Sequence, residues 1–195
     1  MKTILSAGLP RGGVSVAYEV AQMLNVPPDI FLVRKLGLPG HEELAMGAIA
    51  SGGVRVLNED VVTALDIPQA VIDTVAQREQ AELKRRENAY RNNRPKPGLA
   101  GKTVILLDDG LATGATMQAA IAGIRAQDPI QIVVAVPTAA VETCESFENE
   151  VDEIICAETP RPFWGVGRWY KNFDQTTDEE VRTLLQRASE TAVVT

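Results

Sequence analysis

The chain has 195 residues, 45% of them hydrophobic, and a formal net charge of −7. This length and apolar content are typical of one globular domain with a sizeable buried core. The acidic charge argues against a nucleic-acid-binding surface, although it leaves room for a local basic pocket for an anion. No apolar run approaches the roughly 20 residues that a membrane-spanning helix needs, and the first residues lack a secretory signal pattern. We therefore expect a cytoplasmic protein without a nucleic-acid or membrane partner.

Cys144 and Cys156 are the only cysteines of the chain. Two cysteines in a chain of this length do not make a disulfide framework. We therefore expect both to be reduced thiols in the core, in agreement with a cytoplasmic location.

Apolar runs typical of β-strands alternate with helical patterns along the chain. Strands are predicted at residues 3–9, 29–36, 54–60, 103–109, 131–138 and 152–158. Helices are predicted at residues 14–24, 66–90, 115–127 and 141–151, and a last helix is predicted near the end of the chain. A glycine-rich segment, residues 37–53, separates the second and third predicted strands. This alternation predicts an α/β fold, a doubly wound parallel sheet flanked by helices.

Two of the predicted helices begin with a capping signal. Asp66 precedes Gln69 at the spacing of a capping box, and Thr177 precedes Glu180 at the same spacing. We therefore expect the long polar helix to begin at Asp66 and the last helix to begin at Thr177.

Residues 104–121, VILLDDGLATGATMQAAI, place two adjacent carboxylates at the end of a buried strand. In an open α/β sheet, ligands bind beyond the carboxyl ends of the strands, and the N–H groups at a helix N-terminus favour an anion. The small-residue loop after Asp108 and Asp109 therefore suits a phosphate, whereas the carboxylates suit sugar hydroxyls or Mg²⁺. A ribose 5-phosphate satisfies both halves of the site. An acidic pair that only caps the following helix is the alternative.

The segment DDGLATGAT resembles the phosphoribosyl-diphosphate signature of type I phosphoribosyltransferases. The resemblance implies that Asp108 and Asp109 hold the ribose 2′ and 3′ hydroxyls and contact Mg²⁺ together with the ligand diphosphate. It implies a 5′-phosphate loop made of Ala112, Thr113, Gly114, Ala115 and Thr116. It also implies a phosphoribosyl-diphosphate-binding core over residues 1–158, with a small C-terminal hood and the last helix over residues 159–195 of the same domain.

Two further segments resemble parts of the same family. LPRGGV (9–14) resembles its pyrophosphate loop, in which Arg11 supplies charge and Gly12 and Gly13 expose backbone N–H groups. VRKLGLPG (33–40) resembles a segment of adenine phosphoribosyltransferases, which implies that Arg34 and Lys35 reach the pyrophosphate. The glycine-rich residues that follow would form a flexible loop that closes over the site. From the residues alone, a surface turn and a solvated strand end are the alternatives.

The resemblance implies transfer of phosphoribosyl to a nitrogenous acceptor, such as a nucleobase, with release of pyrophosphate. Catalysis would rest on positioning and electrostatic stabilisation of an oxocarbenium-like transition state by Asp108, Asp109, Arg34 and Lys35. Ala112 stands where 6-oxopurine enzymes carry an aspartate, which makes a 6-oxopurine a less expected acceptor. Dimers are common in the family, so a homodimer is a further expectation.

The acceptor would lie under the hood, where four aromatic side chains follow the last predicted strand. Their faces could stack on a planar base, or they could instead seal a small core within the hood. These residues are Phe163, Trp164, Trp169 and Tyr170. Glu42 and Glu43 are candidate bases, and the lone His41 is expected to be a solvent-exposed loop residue.

Two other functions compete with transfer. A regulatory protein could keep the phosphoribosyl site without turnover, as some members of this fold do. A phosphatase or kinase could use the aspartate pair for a metal, but it would need an Asp-x-Asp arrangement or a Walker loop, and the sequence contains neither.

Overall fold

The computed structural model describes residues 3–92 and 94–192, with the side chains of residues 42, 43 and 189–192 left out of the description. The strands are β1 Ile4–Gly8, β2 Pro28–Ile30, β3 Val33–Leu38, β4 His41–Ala50, β5 Val54–Leu57, β6 Thr103–Leu107, β7 Gln131–Thr138 and β8 Glu153–Glu158. The helices are α1 Gly12–Leu24, α2 Glu59–Ala64, α3 Gln69–Arg91, α4 Ala115–Arg125, α5 Val141–Ser146 and α6 Asp178–Ala192, with a 3-10 helix at Val166–Trp169.

Five strands form a parallel sheet in the order β2-β1-β6-β7-β8. The central strand β6 consists of Val, Ile and Leu after Thr103, and its side chains are buried on both faces of the sheet as a central parallel strand requires. Helices return the chain from each strand to the next. The predicted doubly wound parallel sheet is therefore confirmed.

Two hydrophobic clusters cover the sheet and its surroundings. One cluster joins β1, β6 and β7 to α4 through residues such as Leu106, Ile121 and Val134. The other cluster joins β3 and β4 to α3 and α6 through residues such as Leu36 and Leu185. The first cluster fixes the start of α4 relative to the ends of β1 and β6, which is where the candidate site lies.

The predicted strand at residues 29–36 is wrong as a single strand. The chain leaves the parallel sheet after Ile30, and β3 begins at Val33 in a separate three-stranded antiparallel sheet with β4 and β5. The backbone N–H of Leu32 donates to Ser51 Oγ at 3.0 Å, and Phe31 is buried in the first cluster. One apolar run thus serves two sheets, and apolar content alone does not show the change of partner.

The predicted glycine-rich loop at residues 37–53 is also wrong, because residues 41–50 form strand β4. Leu38 pairs with His41 across a turn at Pro39 and Gly40, and Gly40 adopts φ +82°. A Pro-Gly pair suits such a turn, because proline fixes φ at the first central position and glycine accepts a positive φ at the second. The segment expected to close over the site is therefore a paired hairpin strand.

The long helix α3 begins at Gln69 and not at Asp66. Asp66 adopts a left-handed φ of +46° directly after α2, and Pro68 takes the N-cap position with no side-chain cap. The predicted cap is therefore wrong. The second predicted cap is confirmed, because Thr177 Oγ1 accepts from the N–H of Glu180 at 3.2 Å and the Glu180 carboxylate accepts from the N–H of Thr177 at 2.6 Å.

The prediction of two reduced cysteines is wrong in this structure. Cys144 in α5 and Cys156 in β8 form a disulfide, with their Cα atoms 6.6 Å apart. Composition gave no reason to pair them, because their proximity arises only when α5 folds back beside the edge strand β8. Among the described residues, no helix is long and apolar enough to cross a membrane.

Candidate functional site

The candidate site lies where β1 and β6 end side by side. From β1 the chain passes through α1 to β2 on one side, and from β6 it passes through α4 to β7 on the other side. Such a point of diverging connections creates a crevice beyond the carboxyl ends of the strands, which is the usual ligand site of an open α/β sheet. The turn after β1 carries Arg11, Gly12 and Gly13, and Asp108 and Asp109 follow β6.

The glycine turn packs directly against the aspartate pair. A Cβ atom on Gly12 would lie 2.0 Å from Asp109 Oδ2, and a Cβ atom on Gly13 would lie 2.6 Å from the carbonyl oxygen of Leu107 and 3.0 Å from Asp108 Oδ1. A side chain at Gly13 would meet backbone, whereas one at Gly12 would need the Asp109 side chain to move. The structure therefore brings together two segments that sequence reasoning assigned to one ligand, although they lie far apart in the chain.

Burial disfavours charge on both aspartates of the pair, and repulsion adds to this effect at Asp108. Burial, followed by the neighbouring charge of Asp109, raises the pKa of Asp108 to about 7. Burial also raises the pKa of Asp109, whose backbone N–H donates to Asp108 Oδ1 at 2.9 Å. A pair of this kind is stabilised by a proton, by hydroxyl donors or by a cation.

Two helix N-termini border the pair, and neither carries a side-chain cap. Helix α1 begins at Gly12 and α4 begins at Ala115, and neither helix has an acidic residue in its first turn. The N-cap of α4 is Gly114, which adopts φ +74° and exposes the free N–H groups of the first turn. Uncapped N–H groups and the helix dipole attract an anion at the N-terminus of each of the two helices.

The predicted phosphate-loop residues lie together in this second border. Ala112, Thr113, Ala115 and Thr116 are exposed, whereas Gly114 is buried. Sequence reasoning missed the residues behind the loop. A Cβ atom on Gly114 would lie 2.7 Å from the Phe147 ring, and Thr143 Oγ1 donates to the carbonyl oxygen of Ala112 at 2.6 Å. No sequence signal links residue 143 to this loop, because the contact depends on the fold-back of α5.

The three predicted cationic side chains lie in different environments. Arg11 makes a loose ion pair with Asp178, at 3.7 Å between Nη1 and Oδ1. Arg34 donates from Nε to Glu79 Oε2 at 2.8 Å, on the face of β3 that packs against α3. Lys35 is exposed and points to the opposite face of the same strand. The structure thus pairs Arg11 with Asp178 at the start of α6 and ties Arg34 to α3.

The tail after β8 covers one side of the aspartate pair. Tyr170 Oη donates to the carbonyl oxygen of Asp109 at 2.6 Å, and a Cβ atom on Gly110 would meet Val166 Cγ1 at 2.7 Å. Burial, followed by the charges of Asp109 and Asp108, raises the pKa of Tyr170 to about 12. Sequence reasoning placed Tyr170 near an acceptor but missed its hydroxyl contact.

The other predicted aromatic residues differ in exposure. Trp164 is 76% exposed and Trp169 is 48% exposed, whereas Phe163 is partly buried. The two tryptophans therefore do not seal a core within the hood. The side chains of the candidate bases Glu42 and Glu43 lie outside the described part of the structure. His41 is solvent-exposed as predicted, but it begins strand β4 and does not lie in a loop.

The aspartate pair suits Mg²⁺ only in part. Carboxylate oxygens are the donors that Mg²⁺ prefers, and the raised pKa values show that the pair gains from a nearby positive charge. Within the residues that the structure describes, no group of three or more His, Cys, Asp or Glu side chains could hold a metal ion. The donor set therefore fits Mg²⁺ when a ligand supplies the remaining oxygens.

Comparison with known proteins agrees with this architecture. The sequence model described as "Phosphoribosyl transferase domain" matches residues 39–168, which is more than half of the chain. The chain therefore belongs to the phosphoribosyl transferase family.

Individual relatives extend this finding beyond the matched segment. Rv0571c of Mycobacterium tuberculosis, which carries the name of a phosphoribosyl transferase, is 45% identical over 187 residues. The alignment covers 96% of this chain, but the chain spans only 42% of that relative's length. The crystal structure of TT1426 from Thermus thermophilus is 39% identical with a TM-score of 0.85, covering 96% of this chain and 88% of that one. The bifunctional protein PyrR of Corynebacterium diphtheriae is 29% identical over an alignment of 163 residues that covers 70% of this chain and 84% of PyrR.

Proposed function

We propose that the protein binds phosphoribosyl diphosphate at the crevice between β1 and β6 and transfers its phosphoribosyl group to a nitrogenous acceptor. One observation carries the proposal, namely the contact of the Gly12–Gly13 turn with the carboxylates of Asp108 and Asp109. That contact brings a glycine turn next to Arg11, a pair of hydroxyl acceptors and an anion-attracting helix end to one crevice.

Each part of the ligand has a matching group. The 5′-phosphate would bind the N–H groups of the loop 112–116, where α4 starts without a cap. The ribose 2′ and 3′ hydroxyls would donate to Asp108 and Asp109, and hydrogen bonds from hydroxyls offset the repulsion between the carboxylates. The diphosphate would lie against the N–H groups of Gly12 and Gly13 with Arg11 beside them. Lys35 and Arg34 are assigned to the diphosphate by the resemblance alone, and for Arg34 this role requires release from Glu79.

The reaction would be a displacement at ribose C1. The bond from C1 to the diphosphate oxygen breaks, and pyrophosphate leaves with the electron pair. A lone pair of the acceptor nitrogen forms the new bond to C1, and that nitrogen then loses a proton to a base or to water. Mg²⁺, when bound with the diphosphate, would supply neutralisation of its negative charge. Asp108 and Asp109 would orient the ring and face the positive charge that develops on it.

The acceptor would bind beside the tail. Trp164 and Trp169 offer exposed aromatic faces for a planar base, and Tyr170 fixes the tail to the backbone of Asp109. The position of Ala112 disfavours a 6-oxopurine by resemblance. A cytoplasmic location belongs to the same proposal, and it requires the Cys144–Cys156 pair to tolerate reducing conditions.

The test is release of pyrophosphate from phosphoribosyl diphosphate with Mg²⁺, across adenine, guanine, xanthine, uracil and orotate. We expect release with one base and none without a base. Asp108→Asn combined with Asp109→Asn should abolish release and weaken binding of phosphoribosyl diphosphate. Glu19→Gln combined with Asp60→Asn removes two carboxylates elsewhere on the surface and serves as the matched control.

The outcomes separate transfer from regulation. Binding without release for any base would favour the regulatory protein that keeps the site without turnover. Unchanged binding in the double aspartate variant would contradict the assignment of the ribose hydroxyls. Arg11→Ala should weaken the binding of phosphoribosyl diphosphate more than the binding of ribose 5-phosphate, because only the first ligand carries a diphosphate.

A further inference from the structure

We infer that α5 positions the phosphate loop 112–116 and that the Cys144–Cys156 disulfide holds α5 in place, so that reduction of this disulfide weakens phosphate binding at the loop. The inference rests on the proposed function in one respect only, since that function names the ligand of the loop as a 5′-phosphate.

Side chains of α5 and its end support the loop from behind. Thr143 Oγ1 donates to the carbonyl oxygen of Ala112, at the first residue of the loop. The Phe147 ring, which is buried in the first cluster, packs against the backbone of Gly114 so closely that a Cβ atom there would lie 2.7 Å from it. These contacts fix the loop at its start and at its middle.

The backbone before α5 is bonded to the same loop. The N–H of Leu111 donates to the carbonyl oxygen of Thr138 at 3.0 Å, and the N–H of Ala140 donates to the carbonyl oxygen of Leu111 at 3.0 Å. Movement of α5 is therefore transmitted to the residues that enter the phosphate loop.

Helix α5 is held by these contacts, by the packing of Cys144 against the first cluster and by the disulfide. It has six residues, none of them buried, and its N-cap Ala140 offers no side-chain hydrogen bond. A helix this short is not stable by itself, because nucleation outweighs so few hydrogen bonds. The disulfide joins it to β8, the edge strand that pairs with β7. Both cysteines are only partly buried, so a small thiol reagent can reach the bond.

The chemical step is a thiol–disulfide exchange with a dithiol reductant. The dithiol supplies two electrons and two protons, the S–S bond breaks, Cys144 and Cys156 become thiols, and the dithiol becomes a disulfide. The freed α5 samples more conformations, and the ligand must then order the loop when it binds. Ordering on binding weakens affinity. We expect a loss of about fivefold, which corresponds to about 1 kcal/mol.

The test compares the oxidised full chain with the same protein treated with dithiothreitol. Calorimetric titration measures affinity for phosphoribosyl diphosphate, ribose 5-phosphate and inorganic pyrophosphate. After reduction we expect the affinity for both 5′-phosphate compounds to fall about fivefold, and pyrophosphate to bind equally well in both states. Each fold-change in affinity converts to a binding free energy at about 1.4 kcal/mol per factor of ten. A general loosening of the fold would instead weaken all three ligands, and that result would overturn the inference.

Variants isolate the two links. Cys144→Ser with Cys156→Ser should bind like the reduced protein and ignore the reductant. Thr143→Val should show the same selective loss in the oxidised state, whereas Thr143→Ser keeps the hydroxyl and should restore affinity. A double serine variant that still responds to dithiothreitol would overturn the role of the disulfide.

Hydrogen exchange separates this inference from the proposed function. Amides of residues 112–116 should exchange about fivefold faster after reduction, whether or not a ligand is known. If no phosphate compound binds but exchange accelerates, the proposed function fails and the positioning role of α5 stands. If ribose 5-phosphate binds equally in both states and exchange is unchanged, the inference fails and the proposed function stands.

Discussion

Three alanine substitutions at glycines provide a direct test of the site's geometry. Gly12, Gly13 and Gly98 all have backbone conformations outside the positive-φ region, so alanine fits the backbone at each. They differ in what a Cβ atom would meet. At Gly13 it meets backbone atoms, with Leu107 O at 2.6 Å and Asp108 Cα at 2.8 Å. At Gly12 it meets only the side chain of Asp109, and at Gly98 it meets nothing within 4 Å.

The expected magnitudes follow from what has to move. Backbone at the end of β6 cannot yield easily, so Gly13→Ala should lower the free energy of unfolding by about 3 kcal/mol, at the high end for overpacking. In Gly12→Ala the Asp109 carboxylate can rotate away from the new methyl group at a cost of about 1 kcal/mol, and the gain in helix propensity at the start of α1 offsets part of this cost. Gly98→Ala should leave stability unchanged or slightly raised.

Binding should follow a different order from stability. Gly12→Ala displaces the carboxylate assigned to a ribose hydroxyl, and loss of a charged hydrogen bond of about 1.5–3 kcal/mol corresponds to about 10- to 100-fold in affinity for phosphoribosyl diphosphate. Urea unfolding measures stability and calorimetry measures affinity. Wild-type affinity in Gly12→Ala would refute the assignment of Asp109 to the ligand, and a Gly13→Ala protein as stable as Gly98→Ala would refute the packing argument.

Three other changes have equally specific outcomes. The pKa of Asp108 is raised from 3.8 to about 7 on folding, so the folded state holds a proton that the unfolded state has lost. The free energy of unfolding should therefore fall by about 4 kcal/mol as pH rises from about 4 to about 7. Urea titrations of Asp108→Asn should show a smaller fall, because the raised pKa of Asp109 contributes in the same direction; equal slopes would contradict the shift. Tyr170→Phe should lower the free energy of unfolding by about 1 kcal/mol through loss of the hydrogen bond to Asp109, and no change in urea unfolding would argue against that bond. Arg34→Ala should lower it by about 2 kcal/mol, because Glu79 is only 9% exposed but keeps its ion pair with Arg78 at 3.0 Å. Arg34→Met with Glu79→Leu should recover most of the loss; a neutral single variant would show that the Arg34–Glu79 pair is not structural.

Local signals predicted the parts of the fold that local interactions decide. The apolar run of β6 suits a strand that is buried on both faces of a parallel sheet. The Thr177 capping box fixes the start of α6 through its own side chains. The prediction of one strand at residues 29–36 was wrong because the apolar side chains of Phe31 and Leu32 would suit either sheet. Only the packing of the fold decides where the chain leaves the parallel sheet for the antiparallel one. Asp66 failed as a cap because the turn after α2 places it in a left-handed conformation, which spacing does not reveal.

In the candidate site, too, some residues could be predicted from the sequence and others could not. The motif residues around Asp108 and Gly12 could be selected from their order along the chain, since both lie at strand ends that a parallel sheet brings to one edge. The residues that support them could not be selected in this way. Thr143 and Tyr170 donate their hydroxyl hydrogen bonds to backbone carbonyl oxygens of site residues. Any residue with a hydroxyl could make such contacts, so the sequence carries no pattern that marks them.

The charge distribution of the crevice limits what can bind there. Two uncapped helix ends carry excess positive partial charge, and burial raises the pKa of both partly buried aspartates beside them, that of Asp108 to about 7. A simple anion satisfies the helix ends but adds to the repulsion at Asp108 and Asp109. A cation satisfies the carboxylates but is repelled by the helix ends. In the proposed complex, the phosphate groups of a phosphorylated sugar would lie at the two helix ends and its hydroxyl donors would lie at Asp108 and Asp109, so that one ligand would satisfy all three features.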